Sequence, residues 1–347
     1  MTSDPVERFF IERSARLNRR ARLRTMTGSE IIDTSIRVYQ QLGWTFLRAT
    51  ILPTFFAVSA IAFVKSYILP SLFSTSDAGN LTTQFSEVAF AVGLAIFVGG
   101  PLLVVGVSAS TAIVTQLVSD YMIGNVPTAD GALRTAFRTL GSLVKVHFWE
   151  LLLSGSGLIG ALALSALSSL IDRATVNENA LAGIVALLAI GSMIVGGFIF
   201  LVVVSRHALA APAAVLENLK PRAAAKRSVQ LMKGQGPIIS GYGNVWGLYI
   251  VLLVVSIVAN VSIYGFLSMV GFPSRFESYF DNLPMGGLVI EALGLVPMFL
   301  WVWTLVPVWA VTVTIIYYER RIRLEGYDIE ALAGDVWRSD RQNRFEL

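Results

Sequence analysis

The chain contains two histidines, and each stands near another ionisable residue. His147 and Glu150 are three positions apart, which places both on one face of a helix, and His207 directly follows Arg206. Imidazole and carboxylate groups arranged in this way bind metal ions or relay protons in membrane proteins. Both sets also lie at predicted membrane boundaries, where polar side chains cost little free energy. We therefore favour a structural role for them over a metal site or a proton relay.

Residue types that carry most enzyme chemistry are sparse in this chain. There is no cysteine, which excludes disulfides, thiolate catalysis and cysteine-based metal sites. There is also no HExxH motif, no Ser/His/Asp order and no Gly-rich phosphate loop. Glu291, about a turn inside a predicted membrane span, is the candidate for an acid or base at membrane depth. We expect no catalytic residue, no cofactor and no metal, and an enzyme is the third of our hypotheses.

A dense cluster of charges occurs in the stretch YYERRIRLEGYDIEALA, which runs from Tyr317 to Ala333 after a long apolar segment. Opposite charges spaced four apart, as in Glu319 with Arg323 and Arg321 with Glu325, stabilise a helix by about 0.2–0.5 kcal/mol per pair. We expect the two tyrosines at the membrane interface, a helix end at Gly326 and a helix cap at Asp328. We interpret the cluster as the point where the chain leaves the membrane. This exit motif comprises Tyr317, Tyr318, Glu319, Arg321, Arg323, Glu325, Gly326 and Asp328.

The composition of the chain is typical of a membrane protein. Of its 347 residues, 54% are hydrophobic and only 14% are charged, whereas soluble domains carry roughly 25% charged residues. No cleavable signal peptide is predicted, because the first 40 residues are rich in arginine and lack a short apolar core.

Six apolar segments are long enough to cross a hydrocarbon core of about 30 Å, which takes about 20 helical residues. They lie at about 44–64, 88–116, 147–170, 181–205, 244–269 and 289–316. Backbone groups in lipid must find partners within their own segment, so we expect helices, and the predicted fold class is an all-α polytopic membrane protein. The predicted domains are a basic N-terminal segment 1–27, a membrane domain 28–316 and a C-terminal helix and tail 317–347.

The basic residues predict the orientation of these spans. All of the 27 lysines and arginines except Lys65, Arg173 and Arg275 fall in the two termini or in the loops 117–146 and 206–243. The positive-inside rule therefore places both termini and both loops in the cytoplasm.

The N-terminal stretch RSARLNRRARLR carries arginine without any acid, and basic clusters beside a membrane attract anionic lipid headgroups. Nucleic acid is a rival partner, but the interleaved Leu17, Leu23 and Met26 favour a membrane surface. We therefore expect anionic lipid contacts from Arg13, Arg16, Arg19, Arg20, Arg22 and Arg24, and no nucleic acid partner.

Three predicted cytoplasmic segments resemble one another, with Ser35, Ala136 and Ser228 aligned. Each leads toward a span that opens near a tryptophan, namely Trp44, Trp149 or Trp246. The repeated unit is predicted to be a cytoplasmic amphipathic helix followed by a helical hairpin, which gives three pseudo-repeats.

In the first two copies, apolar residues recur at three- and four-residue spacing, as expected of surface helices that lie across the ends of the spans. The predicted apolar faces are Ile31, Ile32, Ser35, Ile36, Tyr39 and Leu42 in the first copy, and Ala132, Leu133, Ala136, Phe137, Leu140 and Val144 in the second. In the third copy, Gly234, Gly236 and Pro237 are predicted to end the helix.

Prolines in the second and sixth spans raise a further hypothesis, because transporters use broken helices to build substrate sites. The candidate transport-site residues are Pro101, Glu291 and Pro297. The segment between Pro297 and Pro307 offers no acid, amide or base to a substrate, so we favour kinks that improve packing.

Three segments carry a family resemblance: PVWAVTVTIIYYERRIRLEGYDIEALA near the end, MTGSEIIDTSIRVYQQ near the start and APAAVLENLKPRAAAKRSVQLMKG in the middle. They resemble bacterial polytopic proteins that include the membrane domain of some glycerophosphoryl diester phosphodiesterases, over most of residues 26–335. In such enzymes the chemistry resides in a separate metal-binding barrel domain, which this sequence does not show. The resemblance implies a membrane fold in the bacterial inner membrane, without an attached activity.

The sequence thus predicts a non-catalytic membrane scaffold, anchor or accessory subunit. Its expected partners are anionic lipids on the cytoplasmic side and another membrane protein or complex. The alternative is a transporter or lipid-translocating protein with a site between the helical repeats.

Overall fold

The computed structural model describes residues 23–63, 94–174, 179–233 and 286–327, residue 329, and separate positions between 247 and 269. These residues are almost all helical, and no strand occurs among them. The helices are α1 Gly28–Phe63, α2 Gly100–Ile123, α3 Ala129–Ala174, α4 Asn179–His207, α5 Ala210–Leu216, α6 Pro221–Met232 and α7 Gly286–Glu325. A π-helical turn, Ala95–Gly99, leads into α2, and the described positions between 247 and 269 are helical.

Four of the helical segments are long and apolar enough to cross a membrane: Gly28–Phe63, Phe97–Ile123, Ile190–Leu216 and Leu293–Glu325. The all-α fold and the membrane character expected from the sequence are therefore confirmed for the described residues. The predicted span 147–170 lies within α3, and the predicted span 244–269 is described only at separate positions. The total of six membrane spans therefore stays a prediction.

The predicted surface helices of the first two copies are not separate elements. α1 runs for 36 residues and α3 for 46, so each joins the predicted amphipathic segment to the predicted span in one helix. At 1.5 Å per residue these helices are about 54 and about 69 Å long. No proline intervenes between the polar and apolar parts, and Gly43 and Gly141 stay within helical backbone. In the third copy α6 does end at Met232, just before the predicted break, whose residues lie outside the described part.

Only part of each predicted apolar face on α1 and α3 is buried against other helices. Ile36 and Phe137, which belong to these faces, are 52% and 75% exposed, whereas Val38 and Leu143 are fully buried. On α3 the buried positions alternate in steps of four and three, and on α1 they do so from Ile31 to Val38, so one seam of each helix faces its neighbours. The buried seams include Ile31, Ser35, Val38 and Phe46 on α1, and Ala132, Ala136, Thr139, Leu143 and Val146 on α3.

Small residues set the closest helix contacts. A Cβ atom added to Gly106 on α2 would lie 2.5 Å from the carbonyl oxygen of Pro53 and 2.7 Å from the backbone nitrogen of Ala57, both on α1. A Cβ added to Gly160 on α3 would lie 2.7 Å from the hydroxyl of Ser192 on α4. Helices in membranes pack closely where small residues let their backbones approach, and these two glycines mark such crossings.

The main core lies where α1, α2, α3, α5, α6 and α7 meet. Its largest fully buried members include Phe46, Leu117, Met122, Ile315 and Tyr317. The part of α7 around Tyr317 is thus in the core, and the exit motif therefore begins inside the core.

Candidate functional site

In the exit motif, α7 continues as predicted and then ends at Glu325. The carboxylate of Glu319 accepts from Arg323 at 2.6 Å, and that of Glu325 accepts from Arg321 at 3.2 Å, so both expected four-residue pairs form. Gly326 has a φ of 65°, in the left-handed region that suits glycine at a helix end. Its backbone N–H bonds to the carbonyl of Ile322 at 3.0 Å. Asp328 lies outside the described residues.

The interface position expected for the two tyrosines of the motif stays a prediction, but both side chains have partners within the protein. Tyr317 and Tyr318 are buried within the helix bundle, as is the next residue, Glu319. The hydroxyls of Tyr318 and Ser119 on α2 lie 2.7 Å apart, and the Tyr317 hydroxyl donates to a carboxylate oxygen of Glu217 at 2.5 Å. Tyrosine next to charged residues at the end of an apolar run is typical of a membrane interface. Here, neighbouring helices cover both rings and supply partners for both hydroxyls.

Two charged residues outside the motif, Arg227 and Glu217, form further ion pairs with it. Arg227 on α6 donates from Nε to Glu217 at 3.0 Å and from Nη2 to Glu325 at 2.7 Å. Arg321 lies 3.8 Å from Glu217, and its guanidinium lies 4.0 Å from the centre of the Tyr327 ring. The hydrogen bond that Arg227 donates to Glu325, followed by its hydrogen bond to Glu217 and the negative charge of Glu217, raises the pKa of Arg227 above its ordinary value. We call Glu217, Arg227, Tyr317, Arg321 and Glu325 the ion network.

The segment before α1 joins the same region. Arg323 donates to the backbone carbonyl of Met26 at 3.3 Å. Leu23 and Met26 are buried in the core, so these two side chains contact protein, and the membrane surface favoured as partner of the N-terminal stretch stays a prediction.

A capping box begins α1. The backbone N–H of Thr27 donates to Glu30 at 2.8 Å, and the backbone N–H of Glu30 donates to the Thr27 hydroxyl at 3.4 Å. Arg24 forms a 2.7 Å salt bridge with Glu30. Of the six arginines predicted to contact lipid, Arg24 alone lies in the described part of the chain. Arg13, Arg16, Arg19, Arg20 and Arg22 lie outside it.

A cavity of about 560 Å³ lies between α2, α3, α4, α5 and α7. It brings together the two histidine sets of the sequence, because His147, Glu150 and His207 all line it. Nδ1 of His147 lies 2.9 Å from the hydroxyl oxygen of Ser108 on α2, within hydrogen-bonding distance. The other described lining residues are Val107, Thr111, Thr115, Phe200, Leu201, Val204, Ala208, Ala211, Pro212, Ile250, Leu305, Val306, Trp309, Ala310 and Val313. Its walls are therefore mostly apolar, with a few polar groups.

The sequence analysis did not predict that His147, Glu150 and His207 line one cavity. His147 and His207 are 60 positions apart and belong to different helices. Their separate positions near predicted membrane boundaries were the available signal, but nothing in the spacing showed that they share a cavity. Among the described residues, no group of three or more His, Cys, Asp or Glu side chains is placed to hold a metal ion.

Of the candidate transport-site residues, neither Pro101 nor Pro297 lines this cavity. Pro101 is exposed near the start of α2. Pro297 is buried within α7 and lines a separate apolar groove of about 360 Å³ with Ile263 and Phe266. α7 continues as one helix through Pro297 and Pro307. Glu291 lies in α7, but its side chain is outside the described part.

The fold and these sites define the class as a helical membrane protein. Comparison with protein-family models, with curated proteins and with solved structures finds no match to this chain. The resemblance to the membrane domain of glycerophosphoryl diester phosphodiesterases therefore stays a prediction.

Proposed function

We propose that this chain is a non-catalytic integral membrane scaffold, anchor or accessory subunit of a membrane complex. In this proposal it has six spans in three pseudo-repeats and resides in a bacterial inner membrane with both termini cytoplasmic. Anionic lipids contact its basic cytoplasmic layer, and another membrane protein docks there.

The observation that carries the proposal is the ion network with its extension to Met26. Glu217 after α5, Arg227 on α6 and the last two turns of α7 are joined by charge-assisted hydrogen bonds. Arg323 ties the segment before α1 to the same end of α7. Hydrogen bonds to charged groups contribute about 1.5–3 kcal/mol each where they are shielded from water. Four distant parts of the chain are thereby held in one fixed arrangement, which is what a docking layer requires.

Exposed aromatic and apolar side chains on α1, α3 and α4 support contact with a membrane. Trp44 and Trp149 are exposed near the middle of their long helices, and the Arg48 guanidinium lies 5.1 Å from the Trp44 ring centre. Exposed tryptophan with a nearby arginine is typical of headgroup depth. Along α4, large apolar side chains including Leu187, Ile194 and Phe198 are also exposed. In a bilayer these side chains contact lipid tails or an apolar partner helix.

The burial of the aligned residues supports the repeat. Ser35, Ala136 and Ser228 are 6%, 4% and 0% exposed. Ser228 accepts from the backbone N–H of Leu209 at 3.1 Å and donates to the carbonyl of Arg206 at 2.8 Å. A small residue thus occupies the buried seam at the aligned position of each copy.

Affinity purification from the native membrane in mild detergent tests the scaffold proposal, with mass spectrometry of co-purifying proteins and lipids. We expect a stoichiometric protein partner that is retained by Lys226→Ala and lost or reduced in Arg227→Ala. Both variants should first be shown to insert into the membrane. Turnover of a lipid, or movement of a solute in liposomes, by the purified protein alone would contradict the proposal.

The cavity favours a second candidate function, a transporter or lipid-translocating protein. Ionisable residues inside a membrane bundle are costly and usually mark a ligand or ion path. The mostly apolar walls suit a lipid chain better than a hydrated solute. Reconstitution in liposomes with a fluorescent lipid analogue tests this candidate, which requires faster movement between leaflets than in protein-free liposomes.

A further inference from the structure

We infer that the cavity beside His147 and Glu150 is a binding site for one amphiphile with a long apolar chain and a hydrogen-bond-donating head that carries no negative charge. The inference names a ligand class for this cavity and does not depend on the scaffold proposal. It rests on the size of the cavity, on the separate apolar and polar groups in its walls, and on the exposed residues at its rim.

The size fits one small ligand. Ligand pockets in proteins measure about 300–1,000 Å³ and combine mostly apolar walls with a few placed polar groups. A cavity of about 560 Å³ lies within this range. The apolar wall is formed mainly by Val107 on α2, Val204 on α4, Pro212 on α5, and Leu305 and Trp309 on α7. Such a wall accommodates an alkyl chain.

The polar groups define the head. A carboxyl group offers hydrogen-bond acceptors, and a neutral imidazole offers one donor and one acceptor. His147 already lies within hydrogen-bonding distance of Ser108, which fixes the ring orientation toward α2. Thr111 and Thr115 add hydroxyls to the same cavity, and no lysine or arginine occurs among its described lining residues. A carboxylate or phosphate head would therefore be buried without a lysine or arginine to pair with, whereas a hydroxyl head can exchange hydrogen bonds with Glu150 and His147.

The rim shows how an amphiphile would enter. Phe200, Leu201 and Ile250 line the cavity and are also exposed at the outside of the described bundle. In a membrane these apolar residues face lipid tails, so a chain can pass sideways from the bilayer without crossing water. Phe200, Leu201 and Ile250 offer a soluble polar ligand no hydrogen-bond partner from their side chains.

Quenching of tryptophan fluorescence tests the inference with the full-length protein in detergent. The probes are a monoacylglycerol with a dibrominated chain and the free fatty acid with the same chain, since bromine quenches tryptophan on contact. Trp309 lines the cavity, whereas Trp303 on the same helix bonds to the carbonyl of Leu47. We expect saturable one-to-one quenching by the monoacylglycerol, largely lost in Trp309→Phe and kept in Trp303→Phe.

A matched pair of variants separates the cavity from the surrounding detergent. Val204→Phe fills the cavity, while Val203→Phe makes the same change at the preceding position, which is not among the lining residues. Because excluding even one methylene from an apolar pocket changes binding by about tenfold or more, we expect at least that loss in Val204→Phe only. Circular dichroism and gel filtration check that both variants fold. If Val204→Phe does not fold, Glu150→Leu serves instead and should remove the preference for monoacylglycerol over fatty acid.

Two results would overturn the inference. Quenching that does not saturate, or that is equal in the Trp309→Phe and Trp303→Phe variants, would mean that the probe only partitions into detergent. Fatty acid binding as tight as that of monoacylglycerol would refute the assignment of the head. Neither result bears on the protein partner, so the scaffold proposal is tested separately.

Discussion

Arg227 and Glu325 are 98 positions apart in the sequence, and their side chains meet at 2.7 Å between Nη2 and Oε2. The same arginine also bonds to Glu217, so one guanidinium links α6 to the segment after α5 and to the end of α7. Arginine is suited to this position because its planar group donates to two carboxylates at once.

Arg227→Ala should destabilise the fold by about 2 kcal/mol, because charge-assisted hydrogen bonds to two carboxylates are lost. Arg227 and both carboxylates are partly exposed, so solvent screens part of the effect. Lys226→Ala is the matched control, since Lys226 is the preceding residue on α6 and is exposed. Thermal unfolding in detergent should show a midpoint several degrees lower for Arg227→Ala than for Lys226→Ala. Equal midpoints would show that the network does not stabilise the fold.

Gly106→Ala should destabilise the protein by about 1–3 kcal/mol, the range for overpacking a close contact. The added Cβ would lie 2.5 Å from a backbone oxygen of α1, and backbone cannot move aside as a flexible side chain can. The control is Gly141→Ala on α3, where a Cβ meets nothing within 4 Å. There, replacing glycine within a helix should stabilise by up to about 1 kcal/mol. Opposite signs for the two variants in the same unfolding assay would verify the close crossing of α1 and α2.

Tyr318→Phe should cost about 1–3 kcal/mol, because it leaves the buried hydroxyl of Ser119 without its partner at 2.7 Å. A tyrosine at the lipid headgroups would lose much less, since water replaces its hydrogen bond. A double-mutant cycle with Ser119→Ala isolates the pair, and the double variant should be more stable than the sum of the single losses predicts. Strict additivity in unfolding experiments would argue against this contact.

Local patterns carried most of the correct sequence predictions. The pairs of Glu319 with Arg323 and of Arg321 with Glu325 depend only on four-residue spacing in a helix, and Gly326 ends that helix for a local reason. The apolar segments likewise identified helices that are long and apolar enough to cross a membrane from their own composition.

The sequence did not show contacts between distant parts of the chain. The buried hydroxyl of Tyr317 has its partner in Glu217 and that of Tyr318 in Ser119, and neither contact is visible from spacing. A pattern of apolar residues shows which face of a helix can be buried, but the width of the buried seam depends on the neighbours, as the exposed Phe137 shows. The cavity combines side chains from α2, α3, α4, α5 and α7 with Ile250 and could not be predicted from any one helix.

The absence of cysteine from the native sequence makes the topology directly testable. Single cysteines can be placed at Lys65, in a predicted outer loop, and at Asn125, which is exposed in the turn between α2 and α3. With a membrane-impermeant maleimide and intact cells, we expect labelling of Lys65→Cys and no labelling of Asn125→Cys until the membrane is opened. Ser274→Cys lies between the predicted spans 244–269 and 289–316, and it should behave like Lys65→Cys because a six-span arrangement places this loop on the outer side. Protection of Ser274→Cys together with labelling of Lys65→Cys would rule out the six-span arrangement.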